Sequence, residues 1–394
     1  MSGHVRLRGD TWYAVISTKD EFGKRKTVWR SLPEAKGKRE AMDLAADLRK
    51  QMKSGKFVAK KGTTLTEWVE HWLNIGAPGK KKEKVGRKTS ERYGQLLHCH
   101  VLPVLGPCRL QDIKPTMIDK LYSVLEGKVS NSTREKVHIV LQSCLNAAVR
   151  GKEISENPVL DIQIVPHKDK GAVDHGMALN AAQMKDLISK SHNSTLHSII
   201  AFACLTGARR GEILGLQWGD VDLNKKTVTI RRALEQTKTG GITIKGTKTG
   251  NEREIGISDD LVELLRTEHA RHLRIVAGVP DGVSVDLSLV RLPQGALCFP
   301  LLSRGDKPDL CRPRSPRSVS NMFALLAREC GYKGLRFHDL RGSHGTALLN
   351  AGEPIHEVAK RLGHDPGTLL AAYAKQTDEG KAKLVKSVAG MGLL

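Results

Sequence analysis

The chain has 394 residues, with 64 Lys and Arg against 42 Asp and Glu, so its formal net charge is +22. This length predicts two or three domains, and the 39% hydrophobic content excludes a wholly disordered basic protein. No run of apolar residues approaches the ~18 that a membrane span requires. The first residues contain no apolar signal core, so we expect a soluble intracellular protein without a membrane partner. The basic surplus indicates a polyanionic partner such as nucleic acid, without separating an enzyme from a passive binder.

Residues 1–62 predict a small basic domain made of three strands and one helix. Short alternating segments predict strands at Val5–Arg8, Thr11–Thr18 and Lys26–Leu32. Apolar residues at helical spacing predict a helix over Lys38–Lys53. Because a sheet can enter a groove of duplex DNA, this domain is a candidate accessory DNA reader. A basic appendage that is only solvated is the alternative.

Residues 63–165 predict an all-helical domain. Thr64 or Thr66 is placed to cap its first helix, and its clearest helix spans Thr133–Arg150, where apolar residues recur every three or four positions. The polar composition around Val165–Gly176 then predicts a linker to a third domain.

The rest of the chain predicts a larger domain of helices and short strands. Its main predicted elements are helices at Ala181–Ser191, Leu196–Leu205 and Leu261–Val276 and strands at Thr227–Arg232, Gly241–Lys245 and Glu252–Ile257. A long irregular stretch with six prolines covers Gly278–Ser318. The predicted fold class is therefore multidomain: a small α+β N-terminal domain, an all-helical second domain, and a mainly helical α+β C-terminal domain with a small antiparallel sheet.

The seven cysteines form no C-x-x-C pair, and their number is odd. Zinc knuckles and a disulfide framework are therefore poorly supported. We expect reduced thiols that serve as small buried hydrophobic side chains.

The first segment that could contribute to an active site is Leu205–Glu212, which reads L-T-G-A-R-R-G-E. A glycine lets the backbone turn sharply at the end of an apolar helix and places Arg209 at the start of the next one. A guanidinium beside a helix N-terminus makes a good anion site. The alternative is a surface ion pair between Arg209 and Glu212 at i,i+3 spacing.

Two further segments bring histidine, arginine and tyrosine into the same domain. In His338-Asp339-Leu340-Arg341, the first and last residues share one helix face and can address one ligand. In the third segment, L-G-H ends at His364 and Tyr373 follows after an Asp-Pro-Gly break that lets the chain fold back. Taken alone, Tyr373 fits a partly buried core or rim tyrosine better, as most tyrosines do.

Motifs for nucleotide binding or metal binding have little support in the sequence. The glycines around Gly241–Gly246 are not followed by Lys-Ser or Lys-Thr, so no Walker loop is present, and no H-E-x-x-H occurs. Four histidines of the C-terminal domain lack thiolate or carboxylate neighbours at ligand spacing: His338, His344, His356 and His364. We therefore expect neither a cofactor nor a bound metal.

In their order and separations, the three segments resemble the signature boxes of tyrosine recombinases, the phage-integrase family. In that pattern, T-G-x-R-x-x-E precedes H-x-x-R by over a hundred residues, L-G-H follows, and the nucleophilic tyrosine lies nine residues beyond its histidine, as here. The stretch Lys248–Arg253 is similar to the family's β-hairpin that carries an active-site lysine. The resemblance covers residues 175–390 strongly. Pattern and position extend it to the other two domains.

The resemblance implies a domain organisation. Residues 1–62 would be an arm-type DNA-binding domain, residues 63–165 a helical, SAM-like core-binding domain, and residues 175–394 the catalytic domain. The last of these would end in a short amphipathic helix after the tyrosine, which family members often dock onto a neighbouring protomer. Packing of this helix within its own chain is the alternative.

The resemblance also implies catalytic roles. Tyr373 would attack the scissile phosphate and form a 3′-phosphotyrosyl link, leaving a free 5′-hydroxyl. Arg209 and Arg341 would hold the non-bridging oxygens. His338 would hydrogen-bond the phosphate and assist proton transfer at the tyrosine, and His364 would support the phosphate from the other side. Two fixed guanidiniums neutralise the transition-state charge without a metal.

The remaining implied roles concern one general acid and two orienting carboxylates. Lys248 would protonate the leaving 5′-oxygen, although Lys238 and Lys245 lie close to it and stay open as alternatives. Glu212 and Asp339 would orient the arginines. His344 is a departure from the pattern, since the family more often has a small residue near this position. It is a further candidate for a supporting role beside the two carboxylates.

The function implied is that of an integrase, a site-specific recombinase of a mobile element. Its partners would be double-stranded DNA at core and arm attachment sites, three further copies in a homotetramer, and accessory DNA-bending or excision factors. Its location would be the cytoplasm of a bacterial host, at the nucleoid. The alternatives are a type IB topoisomerase-like enzyme and a non-catalytic DNA-binding regulator on the same fold. A regulator would have no reason to retain the tyrosine together with the arginines and lysine.

Overall fold

The computed structural model describes residues 2–19, 24–53, 61–79, 83–162, 177–246, 252–280, 282–302, 309–365 and 367. The chain divides into two units, residues 1–168 and 169–394. Within the described ranges, no helix is both long enough and apolar enough to cross a bilayer.

The first unit begins with a three-stranded antiparallel sheet in the order β1-β2-β3, followed by a helix. Its elements are β1 (Ser2–Arg8), β2 (Thr11–Lys19), β3 (Arg25–Leu32) and α1 (Lys38–Lys53). One face of the sheet buries Ala14, Ile16 and Leu32 against Ala41 and Ala45 of the helix. The predicted strands and helix are confirmed here, with the strands extended by one to three residues.

Helices fill the rest of the first unit. They are α2 (Leu65–Asn74), α3 (Arg87–Leu96), α4 (Leu102–Leu105), α5 (Pro115–Leu125) and α6 (Asn131–Arg150), with a π-helical turn at Leu97–Val101. Thr64 rather than Thr66 caps the first of them: its hydroxyl accepts from the Glu67 amide at 3.2 Å, and the Glu67 carboxylate accepts from the Thr64 amide at 2.7 Å. The clearest predicted helix is confirmed as α6, which Ser130 caps.

The second unit contains seven described helices and two small antiparallel sheets. The helices are α7 (Ala181–Lys190), α8 (His197–Thr206), α9 (Arg210–Leu214), α10 (Asp259–Ala277), α11 (Pro316–Glu329), α12 (Asp339–Ala351) and α13 (Ile355–Leu362). The strands are β4 (Val221–Asp222), β5 (Thr227–Ile230), β6 (Arg232–Thr237), β7 (Gly241–Gly246) and β8 (Arg253–Gly256).

The strands do not form the single hairpin that the sequence suggested around the lysines. Strand β7 pairs with β6, whereas β8 pairs with β5 in a separate sheet of order β4-β5-β8. The predicted strand Thr227–Arg232 ends two residues early, because the chain passes at Arg231 from one sheet to the other. Strand periodicity predicts where strands lie, but pairing depends on long-range contacts that periodicity does not encode.

Helix α8 forms the centre of the second unit because it is apolar on every side. Seven of its ten residues are buried, and it ends at Gly207 with a left-handed φ of 66°. A Cβ at this glycine would lie 2.6 Å from the Leu362 side chain and 2.7 Å from the His344 ring. The glycine thus allows α12 and α13 to pack closely against the end of α8, where the candidate site forms.

The cysteine prediction is partly wrong. Cys144, Cys204, Cys298 and Cys330 are buried and unbonded to one another, as expected of small apolar side chains. Cys99 and Cys311, however, are exposed. A cysteine's burial depends on which face of its helix or loop it occupies, and composition alone carries no such information.

Candidate active site

The site is built around the end of helix α13, at the L-G-H segment. Gly363 adopts a left-handed φ of 63°, its amide donates to the Lys360 carbonyl at 3.0 Å, and the His364 amide donates to the Ala359 carbonyl at 2.9 Å. This pair of bonds is the Schellman arrangement that closes a helix. The carbonyls that follow in the chain therefore face the site as acceptors at the negative end of the helix dipole.

Three guanidiniums donate to three consecutive carbonyls at this helix end. We call these residues the arginine cluster: Arg209, Arg253 and Arg341. Their bonds are Arg253 Nε to the Arg361 carbonyl at 3.0 Å, Arg341 Nη2 to the Leu362 carbonyl at 2.5 Å, and Arg209 Nη2 to the Gly363 carbonyl at 2.9 Å. The helix end thus holds three cations, brought from three distant parts of the sequence, in one fixed row.

Arg209 stands at the N-terminus of α9, as the sequence predicts. The ion pair with Glu212 offered as the alternative is also present, with Nη1 2.8 Å from the carboxylate. The two interpretations are compatible, because the second terminal nitrogen of Arg209 reaches the Gly363 carbonyl and 41% of the side chain is still exposed. The pair fixes the guanidinium while leaving part of it open to an anion.

Glu212 is the carboxylate that the cluster shares. It is 3% exposed and accepts hydrogen bonds from both Arg209 and Arg253. Burial opposes its ionisation, but the hydrogen bonds and charge of Arg253, with the hydrogen bonds from Arg209, outweigh burial and lower its pKa below the usual value. A buried carboxylate that stays charged beside two arginines holds both in place.

Arg341 lies on the first turn of α12 and is 3% exposed. Besides its bond to the end of α13, its Nη1 donates to the Gly207 carbonyl at 2.7 Å, so one guanidinium joins the ends of two helices. Asp339 is also buried, and its carboxylate accepts from Arg336, with Arg336 Nη2 3.0 Å from Oδ1. Arg336 is a partner for Asp339 that the sequence did not suggest.

The two candidate histidines share the electrostatic environment of the cluster. Burial, followed by the positive charges of Arg341 and Arg209, lowers the pKa of His364 to about 4. Burial and the charge of Arg341 also lower the pKa of His338, against an opposing effect of Asp339. Both rings are therefore neutral at pH 7 and have a lone pair with which to accept a proton. Among the described residues, Nδ1 of His364 is buried without a hydrogen-bond partner.

His344 is buried and connects helix α12 to α8 and α13. Its Nδ1 donates to the Cys204 carbonyl at 2.9 Å and its Nε2 accepts from Arg361 Nε at 3.1 Å, a pattern that requires the neutral Nδ1–H tautomer. Burial first, and the charge of Arg361 second, lower its pKa to about 4, which agrees with that tautomer. Arg361 also donates to the Leu205 and Gly256 carbonyls, so it joins α13 to α8 and β8.

Two of the predicted site residues, Lys248 and Tyr373, lie outside the described residues. Both alternative lysines are described. Lys245 on β7 forms an ion pair with Glu235 of β6. Lys238 lies in the turn that joins these two strands.

Across the described ranges, no three His, Cys, Asp or Glu side chains gather as they would around a metal ion.

Two domain families match the chain. The model described as "Phage integrase, N-terminal SAM-like domain" matches residues 64–125. The model described as "Phage integrase family" matches residues 178–379, slightly more than half of the chain, and spans the arginine cluster and both histidines. The chain belongs to the phage integrase family. It is accordingly a tyrosine-type site-specific recombinase, an integrase of a mobile element, and the topoisomerase-like and regulatory alternatives are not favoured.

Individual relatives agree with this family. The putative prophage phiRv2 integrase of Mycobacterium tuberculosis strain CDC 1551 / Oshkosh is 22% identical over 331 residues, which covers 83% of this chain and 79% of that protein. A solved Tn1549 transposon integrase in complex with transposon right end DNA has a TM-score of 0.62 at 19% identity, covering 83% of this chain and 100% of that one. A lambda integrase tetramer bound to a Holliday junction has a TM-score of 0.53 at 16% identity, covering 95% and 97%. At these identities the solved structures establish the fold, which is helical with small antiparallel sheets.

Sequence reasoning missed two arginines of this integrase site. Arg253 entered only as the last residue of the stretch that resembles the family's lysine hairpin, and Arg361 was not singled out. A signal was present in each case: one arginine opens a strand of otherwise alternating apolar residues, and the other directly precedes L-G-H. Neither position shows by itself which carbonyl or carboxylate it will meet.

Proposed function

We propose that this integrase inserts and excises its element by cutting and rejoining duplex DNA through a 3′-phosphotyrosyl intermediate at Tyr373. One observation carries the proposal: Arg209 and Arg341 are fixed beside two neutral histidines, His338 and His364. A phosphodiester transition state gathers negative charge on its oxygens, and fixed guanidiniums are suited to it. The resemblance supplies the nucleophile for this site.

The reaction follows from these groups. The Tyr373 oxygen forms a bond to phosphorus, its proton passes to the neutral ring of His338, and the bond from phosphorus to the 5′-oxygen breaks. Lys248 gives the leaving oxygen its proton, and His364 supports the phosphate from the other side. A 5′-hydroxyl of the partner strand then reverses these steps. Because the covalent link conserves the phosphodiester bond energy, rejoining requires no nucleotide.

A direct experiment tests the proposal. A duplex from the end of the element is nicked close to the cleavage point, so that a short fragment with the free 5′-hydroxyl diffuses away after cleavage. Incubation with the full chain should give a covalent protein–DNA complex on a denaturing gel, and proteolysis should place the DNA on the peptide that contains Tyr373. Attachment at another residue would contradict the assignment.

Chain connectivity favours Lys248 over Lys238 as the general acid. The described strands on either side of its segment, ending at Gly246 and starting at Arg253, both pair with positions 230–232. The segment therefore starts from the backbone partner of Arg232 and ends at Arg253, a member of the arginine cluster. Lys238 lies at the far end of the β6–β7 hairpin, five ladder steps or about 17 Å from Gly246.

The general acid is tested with the substitution Lys248→Ala. We expect cleavage to slow by about 10²- to 10⁴-fold, the usual contribution of a positioned general acid. A substrate with sulfur at the 5′ leaving position should restore most of the rate, since a thiolate leaves without protonation. Lys238→Ala is the matched control and should cleave both substrates normally. Restoration of Lys238→Ala instead would transfer the role to that residue.

The three-domain layout belongs to this proposal. Residues 1–62 would bind arm sites, residues 63–165 would clamp the core site together with the catalytic domain, and residues 175–394 would carry out catalysis. In residues 1–62, the sheet face opposite α1 carries Arg6 directly across from Tyr13. The ring centroids of Tyr13 and Trp29 lie 6.3 Å apart, and Trp29 is 46% exposed. Arginine and exposed aromatic side chains suit contact with phosphates and bases.

Removal of residues 1–62 tests this layout. The truncated chain should cleave an isolated core site at close to the normal rate and lose affinity for arm-site DNA, because the sheet has its own small core with α1. Mobility-shift titrations on separate core and arm duplexes measure both. If affinity for the two duplexes fell together, the division at residue 62 would be wrong.

The assembly is proposed by likeness. Four copies on two DNA sites would exchange strands through a Holliday junction, in keeping with the lambda integrase tetramer bound to such a junction. If residues 382–388 form the amphipathic helix that the sequence predicts, that helix would dock on a neighbouring copy. Accessory bending or excision factors would shape the arms. The site of action would be the nucleoid of a bacterial cell.

A further inference from the structure

The side chain of Arg253 is 11% exposed, against 41% for that of Arg209. Its Nη1 and Nη2 donate to the two oxygens of Glu212 at 3.1 and 2.6 Å, and its Nε donates to the Arg361 carbonyl at 3.0 Å. All three faces of this guanidinium are thus used within the protein. Unlike Arg209, it has little surface left for a ligand.

Glu212 divides its two oxygens evenly between two arginines. Oε1 accepts from Nη1 of Arg209 and Nη1 of Arg253, and Oε2 accepts from the Arg209 amide and Nη2 of Arg253. Each oxygen therefore receives one bond from each residue. The direction of the carboxylate, and so the position of the Arg209 guanidinium, depends on Arg253.

A second contact leads from Arg253 to the same place. Arg253 packs on Gly363, where a Cβ would lie 3.1 Å from Nη1 and 3.3 Å from Cδ and Cζ. The carbonyl of that glycine accepts from Arg209, and the preceding carbonyl, of Leu362, accepts from Arg341. Arg253 thus supports both acceptors that orient Arg209 and Arg341.

We propose that Arg253 is a positioning residue, which fixes Arg209 and Arg341 through Glu212 and the end of helix α13 so that their guanidiniums meet the non-bridging oxygens of the scissile phosphate. The inference rests on the proposed role of those two arginines. A lysine keeps the charge at this position but has neither the planar fork nor the Nε donor, and so cannot make these three bonds at once. The substitution Arg253→Lys therefore changes geometry more than charge.

Chemically altered substrates separate this role from others. In a methylphosphonate, a methyl group replaces one non-bridging oxygen and the linkage is neutral, so that precisely placed cations matter less. On an ordinary phosphodiester, Arg253→Lys should slow single-turnover cleavage by about 100-fold, the scale of a 1 Å misplacement. On the methylphosphonate most of that loss should disappear, as it should for Arg209→Lys. A 5′-sulfur substrate should restore neither variant.

A matched control is the substitution Arg232→Lys. Arg232 also pairs with a buried carboxylate of the same unit, Asp220, at 2.9 Å, but is not part of the arginine cluster. It should cleave all three substrates with unchanged relative rates. Thermal unfolding and DNA affinity are measured on each variant, and Arg253→Gln, which keeps a donor without charge, replaces the lysine variant if that one does not fold.

The outcomes are distinct. Restoration of Arg253→Lys by the 5′-sulfur substrate and not by the methylphosphonate would overturn the inference and place the residue's effect at the leaving group, through the neighbouring Lys248. Equal losses of cleavage rate on all three substrates would mean that Arg253 only makes a structural contact, which would also overturn the inference. If the methylphosphonate restored cleavage by Arg209→Lys but not by Arg253→Lys, only the inference would fail. If Arg209→Lys were not restored either, the proposed role of Arg209 and Arg341 would fail, and the inference with it.

Discussion

The substitution Tyr373→Phe should abolish the covalent protein–DNA complex while leaving DNA binding intact. Phenylalanine keeps the ring and removes only the oxygen that would bond to phosphorus, so no other group replaces it. Removal of a covalent nucleophile costs on the order of 10⁶-fold in rate, which is below detection in a gel assay. The measurement is trapping on the nicked duplex, with affinity taken from a mobility shift on the same DNA.

A second tyrosine of the same unit provides the control. The Tyr332 hydroxyl donates to the Asp186 carboxylate at 2.8 Å and takes no part in the arginine site. Tyr332→Phe should therefore trap DNA normally. Undiminished trapping by Tyr373→Phe would contradict the nucleophile assignment, and loss of DNA binding together with trapping would show that the hydroxyl has a role in folding or in the DNA interface.

The substitution Arg341→Lys should reduce cleavage on the order of 10³-fold, the scale reported for fixed cations at a transferring phosphoryl group. The guanidinium reaches the Gly207 and Leu362 carbonyls with separate nitrogens, and it is 3% exposed. A lysine at this position has one nitrogen and cannot span both helix ends while it faces the phosphate. Single-turnover cleavage at saturating protein separates this effect from binding.

The matched control is Arg336→Lys, five residues earlier. Its side chain is 57% exposed and pairs with Asp339 at 3.0 Å, outside the arginine cluster. Because the arginine of this pair is exposed and a lysine can keep the contact with the carboxylate, we expect cleavage within a few-fold of normal. Equal losses in the two variants would mean that Arg341 supports the fold of α12 and does not meet the phosphate.

Local elements of this integrase could be predicted well because their signals are local. The helix over Lys38–Lys53 has the predicted bounds, since apolar spacing alone defines it. Thr64 begins α2 because a hydroxyl and a glutamate three residues later satisfy the free amides of one turn. The break predicted at Asp-Pro-Gly comes two residues earlier, at Gly363, because glycine adopts a left-handed conformation readily.

Other features could not be read in this way, because they depend on contacts between distant segments. Asp339 accepts from Arg336, a residue that sequence reasoning did not consider. Strand β8 pairs with β5 and leaves the hairpin that precedes it. The tautomer of His344 follows from a carbonyl 140 residues away, at Cys204.

Part of the basic surplus of this chain thus has a defined place, in the arginine cluster. The sequence by itself determined the order and spacing of the signature residues, from Arg209 through His338 and Arg341 to His364, and hence the chemistry to expect of the chain. Only the tertiary structure decided how those residues are held. It placed Arg253 and Arg361 among them and set three guanidiniums on three consecutive carbonyls. The physical reason is that spacing along a chain selects residue types, whereas the direction of a charged side chain depends on acceptors that folding brings from elsewhere.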